Sequence, residues 1–223
     1  MDCCTPLTGS PIAAVVAAYN EGPTVGAVVR ILVASKRFRE VIVVSDGSTD
    51  NTAELARLNG ASLVLHLPKK GGKGAALIHG VSKTDARVLF FCDADLYGLS
   101  FEHIDRVLAP VLEGRLAMNV GLHDRGPFLT KLAAHLPLIG GERALRREIF
   151  DAVPEKYLQG FMIEEALNYA CRRRRLPYGS IPMKGVTIRR KMQKFGFLRG
   201  LIGYVRMTAQ IIYAMVIVRI ARV

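Results

Sequence analysis

Two apolar runs of strand length end abruptly in carboxylates: Val41-Ile-Val-Val-Ser-Asp46, continued by Gly-Ser-Thr-Asp50, and Val88-Leu-Phe-Phe-Cys-Asp93, continued by Ala94 and Asp95. In an open α/β sheet ligands bind beyond the carboxyl ends of the strands, so both acidic ends point at one crevice. Asp93 and Asp95, one residue apart, offer two hard oxygen ligands to a single divalent cation, and Mg2+ or Mn2+ suits them best. Two carboxylates this close repel each other unless a cation or basic group intervenes, which favours a metal over a capped turn. Such an ion completes its shell with water and substrate phosphates, and that predicts a nucleotide carrying a diphosphate.

Three further constellations lie within reach of that crevice. Tyr19, Asn20 and Glu21 follow the apolar run Ile12 to Ala18, at a strand-to-helix turn where backbone and short polar groups can hold a nucleoside. Alone, the tripeptide fits an ordinary polar loop equally well. Gly71-Gly-Lys73-Gly74 opens a predicted helix, where glycines permit close backbone approach and free amides attract phosphate, with Lys73 adding a point charge. Its bland reading is a solvated helix start. Glu164 and Glu165 begin another predicted helix, and neighbouring helical positions diverge by roughly a quarter turn or more, so one of the pair faces the crevice. That carboxylate suits a general base if the acceptor is a hydroxyl and is superfluous if the acceptor is a phosphate monoester. Stabilisation of a helix N-terminus accounts for the pair equally well. His123-Asp-Arg125 reads as a loop over the site with no assigned chemistry.

The elements that must position these residues alternate. Strands are predicted at Ile12 to Ala18, Val41 to Val44, Ala61 to Leu67 and Arg87 to Cys92, with helices at Thr24 to Ser35, Asp50 to Leu58 and Lys73 to Val81 between them. Asp50 stands at the N-cap of its helix. This βαβαβαβ order predicts an α/β fold with a mostly parallel sheet covered on both faces. Helical patterns follow at Phe101 to Leu112, Phe128 to Ala134, Arg143 to Val153 and Ile163 to Arg174, and strands near Leu116 to Leu122 and Tyr178 to Val186 extend the sheet.

The 223 residues, half of them hydrophobic, suffice for one well-buried domain with a C-terminal extension. Four cysteines without metal-ligand spacing, two of them inside predicted core elements, point to a reducing, cytoplasmic setting, and no signal-peptide pattern opens the chain. Charge is uneven. The last 58 residues hold 13 of the 31 lysines and arginines and none of the 19 acidic residues, so essentially all of the net +12 sits there and implies an anionic partner.

Taken together, Ala17-Ala-Tyr-Asn-Glu21, Ser45-Asp-Gly-Ser-Thr-Asp-Asn-Thr52, Gly72-Lys-Gly-Ala-Ala76 and Asp93-Ala-Asp-Leu96 resemble, in order and spacing, the motifs of the family-two glycosyltransferases. Within that family the chain is similar to the short single-domain branch containing dolichyl-phosphate mannosyltransferase and other polyprenyl-phosphate enzymes. Gly141-Glu-Arg-Ala-Leu-Arg146, Gly160-Phe-Met-Ile-Glu164 and Lys194-Phe-Gly196 continue the likeness more loosely. The resemblance implies a GT-A fold over residues 1–197 and sugar transfer, with inversion, from a UDP- or GDP-linked donor. It implies donor contacts at Ala17, Tyr19, Asn20, Glu21, Asp46, Lys73, Asp93 and Ala94, and catalytic roles for Asp95 and Glu164. Arg143, Arg146 and Lys194 become contacts for the acceptor or its phosphate. Ser45 stands where the family usually carries the aspartate that reads the base, which leaves the base open.

The tail supplies the acceptor expectation. Leu198, Leu201, Ile202, Val205, Ala209, Ile212 and Val216 recur at helical spacing among arginines, so residues 198–223 are predicted to form a basic amphipathic helix. The charge-free run Met207 to Val218 falls short of the roughly 20 residues that cross a bilayer. An interfacial helix on an anionic membrane surface, delivering a polyprenyl phosphate, is the leading reading. Burial against the domain or in a homodimer is the alternative for the helix. For the acceptor, the alternative is a small soluble phosphorylated compound. A non-catalytic basic module for membrane or nucleic acid is the reading from another class. Nucleic acid is disfavoured by the absence of Trp, the few aromatics among the basic residues and the lack of a recognised motif.

Overall fold

A computed structural model describes residues 5–123, 140–160 and 162–188. The first four strands, β1 (Ile12–Ala18), β2 (Glu40–Asp46), β3 (Leu63–Leu67) and β4 (Val88–Asp93), alternate with α1 (Gly22–Ala34), α2 (Thr52–Leu58) and α3 (Lys73–Val81). After the short β5 (Leu96–Tyr97) come α4 (Phe101–Leu112), β6 (Met118–His123), β7 (Glu142–Arg146), α5 (Arg147–Asp151), a 3-10 turn at Glu155–Tyr157, α6 (Met162–Arg173), β8 (Tyr178–Met183) and β9 (Thr187–Ile188). The main sheet has seven strands in the order β3-β2-β1-β4-β7-β6-β8, while β5 and β9 form a separate antiparallel pair.

Every neighbouring pair in the main sheet is parallel except those involving β7, which runs antiparallel to both β4 and β6. The carboxyl ends of β1, β2, β4 and β6 therefore share one edge with the amino end of β7. That reversal decides what reaches the site.

Central strands are apolar on both faces because helices cover both. On β1, Ala14 and Val16 pack with Val25, Val28 and Leu32 of α1 and with Ile104, Val107 and Leu108 of α4. Val15 points the other way, toward Leu77 and Val81 of α3 and Ile163, Ala166 and Leu167 of α6. Phe90 and Phe91 of β4 divide in the same manner. Burying each such large side chain contributes roughly 1.5–3 kcal/mol. Local signals set the helix starts: Pro23 lies in the first turn of α1, and Ser100 caps α4 by accepting from the His103 backbone N–H at 3.4 Å.

One predicted element is replaced. Arg143 to Val153 does not form a continuous helix: residues 142–146 are strand β7, and only Arg147–Asp151 are helical. Pairing with β4 on one side and β6 on the other satisfies both backbone edges of this segment, which outweighs the local helical pattern of its charged residues. The predicted helix Phe128 to Ala134, Lys194 and the tail helix 198–223 lie outside the described residues.

Candidate active site

The carboxyl ends of β1, β2 and β4, the approach to β7 and the starts of α1, α2, α3 and α6 converge at the shared edge. Ala17, one residue from the end of β1, pairs with Asp93 on one side and Val44 on the other. Beyond it, Asn20 takes a left-handed φ of 53°, donates its backbone N–H to Ser48 Oγ at 3.1 Å, and accepts from the Thr49 N–H at 2.9 Å. The Glu21 N–H donates to Thr52 Oγ1 at 2.9 Å. Asp50 accepts from the backbone N–H groups of Gly22 and Thr52, at 3.0 and 3.1 Å, so it joins the starts of α1 and α2. Burial pushes the Asp50 carboxyl upward, but its hydrogen bonds from Thr52 and Gly22 prevail and hold it below the ordinary value. The first two β-to-α turns are therefore one cross-braced unit.

Asp46, at the end of β2, is buried and fully engaged. Its two oxygens accept from the backbone N–H groups of Gly71 and Gly72, each at 2.7 Å. The amides expected to be free for phosphate thus serve, with Asp46, to fasten the turn preceding α3. Ser45 is wholly buried, with its hydroxyl 3.3 Å from His66 Nδ1. Lys70, on the same turn, places its ammonium 3.6 Å from the Tyr19 ring centroid.

Lys73, the first residue of α3, reaches across to Asp93. Its ammonium is 2.7 Å from Asp93 Oδ1 and 3.1 Å from Glu164 Oε1. Burial pulls this ammonium toward its neutral form, but Asp93 and Glu164 more than compensate, and it is held well above the ordinary lysine value. The helix can approach this closely because residue 74 is glycine: a Cβ there would meet the Leu158 carbonyl oxygen at 1.7 Å.

Asp95 lies among negative charges. Burial, followed by Asp93, Glu21 and Glu142, pushes its carboxyl up to about 7 despite the opposing pull of Lys73. Ala94, between the two aspartates, is buried in the core, which leaves its backbone as the part able to meet a donor. At the start of α6, Glu164 faces Lys73, whereas Glu165 forms an ion pair with Arg172.

The reversed strand β7 changes the expected acceptor contacts. Arg146 pairs with Val88, at the amino end of β4, and its Nη2 donates to the Thr5 carbonyl at 2.6 Å. It therefore sits on the far edge of the sheet and cannot serve as an acceptor contact. Arg143 is only 1% exposed, and its guanidinium donates to the carbonyls of Glu164 and Gly140, both at 3.4 Å. It braces the start of α6 from within the core instead of meeting the acceptor. Burial lowers its pKa, offset in part by the charge of Glu164.

In their place β7 brings Gly141 and Glu142 to the site. A Cβ on Gly141 would lie 1.9 Å from Asp93 Oδ2. Glu142, with no exposed side-chain surface, places a carboxylate oxygen 2.7 Å from His123 Nε2. Neither His123 nor Glu142 carries an assigned role in the sequence reading: His123 falls in a loop with no assigned chemistry, and Glu142 stands just before a predicted helix. The glycine pair Gly140-Gly141 is the one local signal of close backbone approach.

The donor set fits a divalent ion of the oxygen-preferring kind. Asp93 retains partial exposure, Asp95 sits in surplus negative potential, and the Lys73 ammonium already stands against Asp93 as a cation. Among the described residues no three His, Cys, Asp or Glu side chains gather into a ready-made metal cage.

A seven-stranded, mostly parallel sheet flanked by helices is the architecture of a GT-A fold. Residues 13–168 match the model of glycosyl transferase family 2, and the chain belongs to that family. It is 29% identical over 193 residues to the glucosyl-3-phosphoglycerate synthase of Mycolicibacterium smegmatis, spanning 71% of this chain and 63% of that protein. A 90-residue stretch is 41% identical to the uncharacterized glycosyltransferase YaiP of Escherichia coli, spanning 39% of this chain and 23% of that protein. The chain therefore spans less than two thirds of either relative. The crystal structure of Mycobacterium tuberculosis glucosyl-3-phosphoglycerate synthase with Mn2+, UDP and glucosyl-3-phosphoglycerate superposes with a TM-score of 0.77 at 25% identity, covering 95% of this chain and 80% of that one.

Proposed function

We propose that this protein is a divalent-metal-dependent glycosyltransferase that moves a sugar from a UDP-linked donor to a small phosphorylated acceptor. The observation that carries the reading is the juxtaposition of Asp93 and Asp95, at the end of β4, with Lys73 at the start of α3. Asp93 and Asp95 would hold Mg2+ or Mn2+, and when bound the ion would neutralise charge on the departing diphosphate. The donor base and ribose lie along Tyr19, Asn20 and Glu21, and Asp46 keeps the Gly71-Gly72 turn in register so that Lys73 meets the diphosphate. Glu164, held by Lys73, is placed to orient or deprotonate an acceptor hydroxyl.

Support for a UDP donor comes from the mycobacterial relative, whose structure contains Mn2+, UDP and glucosyl-3-phosphoglycerate. The two named synthases favour a small phosphorylated acceptor over a polyprenyl phosphate. A lipid phosphate is the second reading, favoured by the charge-free stretch Met207 to Val218 between Arg206 and Arg219. Among the described residues no helix is long and apolar enough to cross a membrane. Association with an anionic membrane face remains attached to that second reading.

The test is a transfer assay with UDP-glucose and Mn2+ against 3-phosphoglycerate, glycerol 3-phosphate and a detergent-solubilised polyprenyl phosphate. Glycosylation of a soluble phosphorylated acceptor is expected. Transfer confined to the polyprenyl phosphate would establish the lipid reading, and failure to bind UDP-glucose with metal would remove the donor assignment.

A further inference from the structure

We infer that the amino edge of the sheet, opposite the candidate active site, docks on an anionic phospholipid surface and leaves the acidic edge facing solvent. This surface is separate from the tail invoked for a lipid acceptor, and it serves either acceptor.

α1, α3 and α6 all end at the amino edge, beside the first residues of β2, β4 and β8. The chain there is densely basic. Lys36, Lys83, Arg87, Arg173, Arg174 and Arg175 are exposed and form no ion pair among the described residues. Carboxylates of this edge are already matched: Asp85 by Arg39, Glu113 by Arg115 and Asp151 by Arg147. Glu148, partly buried in α5, offsets one charge of the surplus. Asp46, Asp93 and Glu164 stand at the other edge, so the domain is polarised along its strands.

A basic residue near a helix C-terminus complements the helix dipole, an effect confined to the last turn. It does not account for α6. Arg172 already occupies that last turn, engaged with Glu165 and, at 3.4 Å, with the Tyr178 hydroxyl, and three more arginines follow it. The last of them, Arg175, takes a left-handed φ of 54° at the place where a helix is usually closed by glycine. α2 and α4 are followed by Gly60 and Gly114, with φ of 93° and 76°. The Arg175 N–H donates to the Arg172 carbonyl at 3.1 Å and the Leu176 N–H to the Cys171 carbonyl at 2.9 Å, a cap that glycine would form with less strain. What arginine adds at this position is an exposed charge.

The arrangement selects the partner. Successive helical residues diverge by about 100°, so Arg173 and Arg174 spread apart instead of enclosing a small anion. The basic residues stand at helix ends and turns, not along a helix face that could enter a groove. Among the described residues of this edge no exposed aromatic ring offers a base a stacking platform. Unpaired cations spread over several turns match a plane of anionic headgroups.

Cosedimentation of the full chain with vesicles of equal parts phosphatidylglycerol and phosphatidylcholine tests the inference, with pure phosphatidylcholine as reference. Wild type should bind the anionic vesicles, and salt should weaken the binding. Arg173→Gln/Arg174→Gln/Arg175→Gly, whose glycine keeps the cap, should bind about tenfold or more weakly, and Lys83→Gln/Arg87→Gln about threefold or more weakly. Mn2+-dependent UDP affinity of wild type should be the same on vesicles and in solution. Wild type that ignores anionic vesicles would overturn the inference, as would a folded variant of either kind that binds them unchanged, the result expected if the tail alone makes the contact. Loss of UDP affinity on vesicles would place the acidic edge against the bilayer and overturn it too. Arginine-dependent binding to duplex DNA with none to vesicles would assign the edge to nucleic acid instead. A protein that docks as expected but binds UDP in neither setting would sink the donor reading and leave the docking intact.

Discussion

A methyl group placed on Gly141 would lie 1.9 Å from Oδ2 of Asp93, far inside van der Waals contact. The backbone leading into β7 is therefore the wall against which the Asp93 carboxylate rests. Gly141→Ala should force Asp93 off its present rotamer and cost about 1–3 kcal/mol of stability, the range typical of overpacking. It should also weaken Mn2+-dependent UDP binding by about tenfold or more, because a misplaced ligand loses its bond to the ion. Calorimetry with and without Mn2+ measures both effects. Wild-type affinity in this variant would show that Asp93 need not hold its position.

Asp95 makes the metal-free protein sensitive to pH. Burial first, then the charges of Asp93, Glu21 and Glu142, raise its carboxyl from 3.8 to about 7. Below the unfolded value the group is protonated in both states. Between the two values the folded protein retains a proton that the unfolded chain releases. Asp95 thus favours the fold in acid, and that contribution is lost as pH rises through about 7. Asp95→Asn should flatten this part of the stability profile between pH 5 and 8 and raise the Tm of the metal-free protein at pH 8 by roughly several degrees. The same substitution should weaken Mn2+-dependent UDP binding by about tenfold or more. Thermal melts without metal across the pH range check the first part. An unaltered slope in the variant would mean that Asp95 is already ionised in the folded protein at acid pH.

Arg146 separates the two edges of the sheet. Because its guanidinium donates to the Thr5 carbonyl at the amino end of β4, Arg146→Ala should lower stability by about 1–2 kcal/mol through the lost bond and packing. The acceptor KM should not change. A large rise in KM with unaltered stability would return this arginine to the acceptor side.

How much of this was legible in the sequence depends on which forces declare themselves locally. β1, β2 and β4 show as apolar runs because both faces are buried, and Asp46, Asp93 and Asp95 stand out where those runs stop. β7 does not show, because the stretch from Arg143 onward reads as helix and the charges of Glu142, Arg143 and Arg146 give no sign of a buried strand. Their burial depends on distant partners: His123 for Glu142, the Glu164 carbonyl for Arg143 and the Thr5 carbonyl for Arg146. The reversal of β7 follows from pairing on both edges, which no local pattern encodes. Lys73 is visible as a charge at a helix start, whereas its grip on Asp93 and Glu164 depends on α3 and α6 meeting across the carboxyl edge of the sheet.

Asp46 offers the sharpest division between reading a base and holding a loop. Both of its oxygens accept 2.7 Å hydrogen bonds from the Gly71 and Gly72 amides, so both are committed to the turn that launches α3. Asp46→Asn keeps one acceptor but turns an amide N–H toward a backbone N–H, leaving a buried donor unsatisfied at a cost of about 1–3 kcal/mol. The turn should loosen and Lys73 should lose its aim at the diphosphate. If Asp46 holds the loop, UDP and GDP should lose affinity by the same factor in the presence of Mn2+, while uridine, which has no diphosphate, should be affected far less. If Asp46 reads the base, the substitution should instead change the ratio of UDP to GDP binding and weaken uridine as much as UDP. Calorimetric titration of the variant with the three ligands distinguishes these outcomes, and the two committed oxygens predict the first.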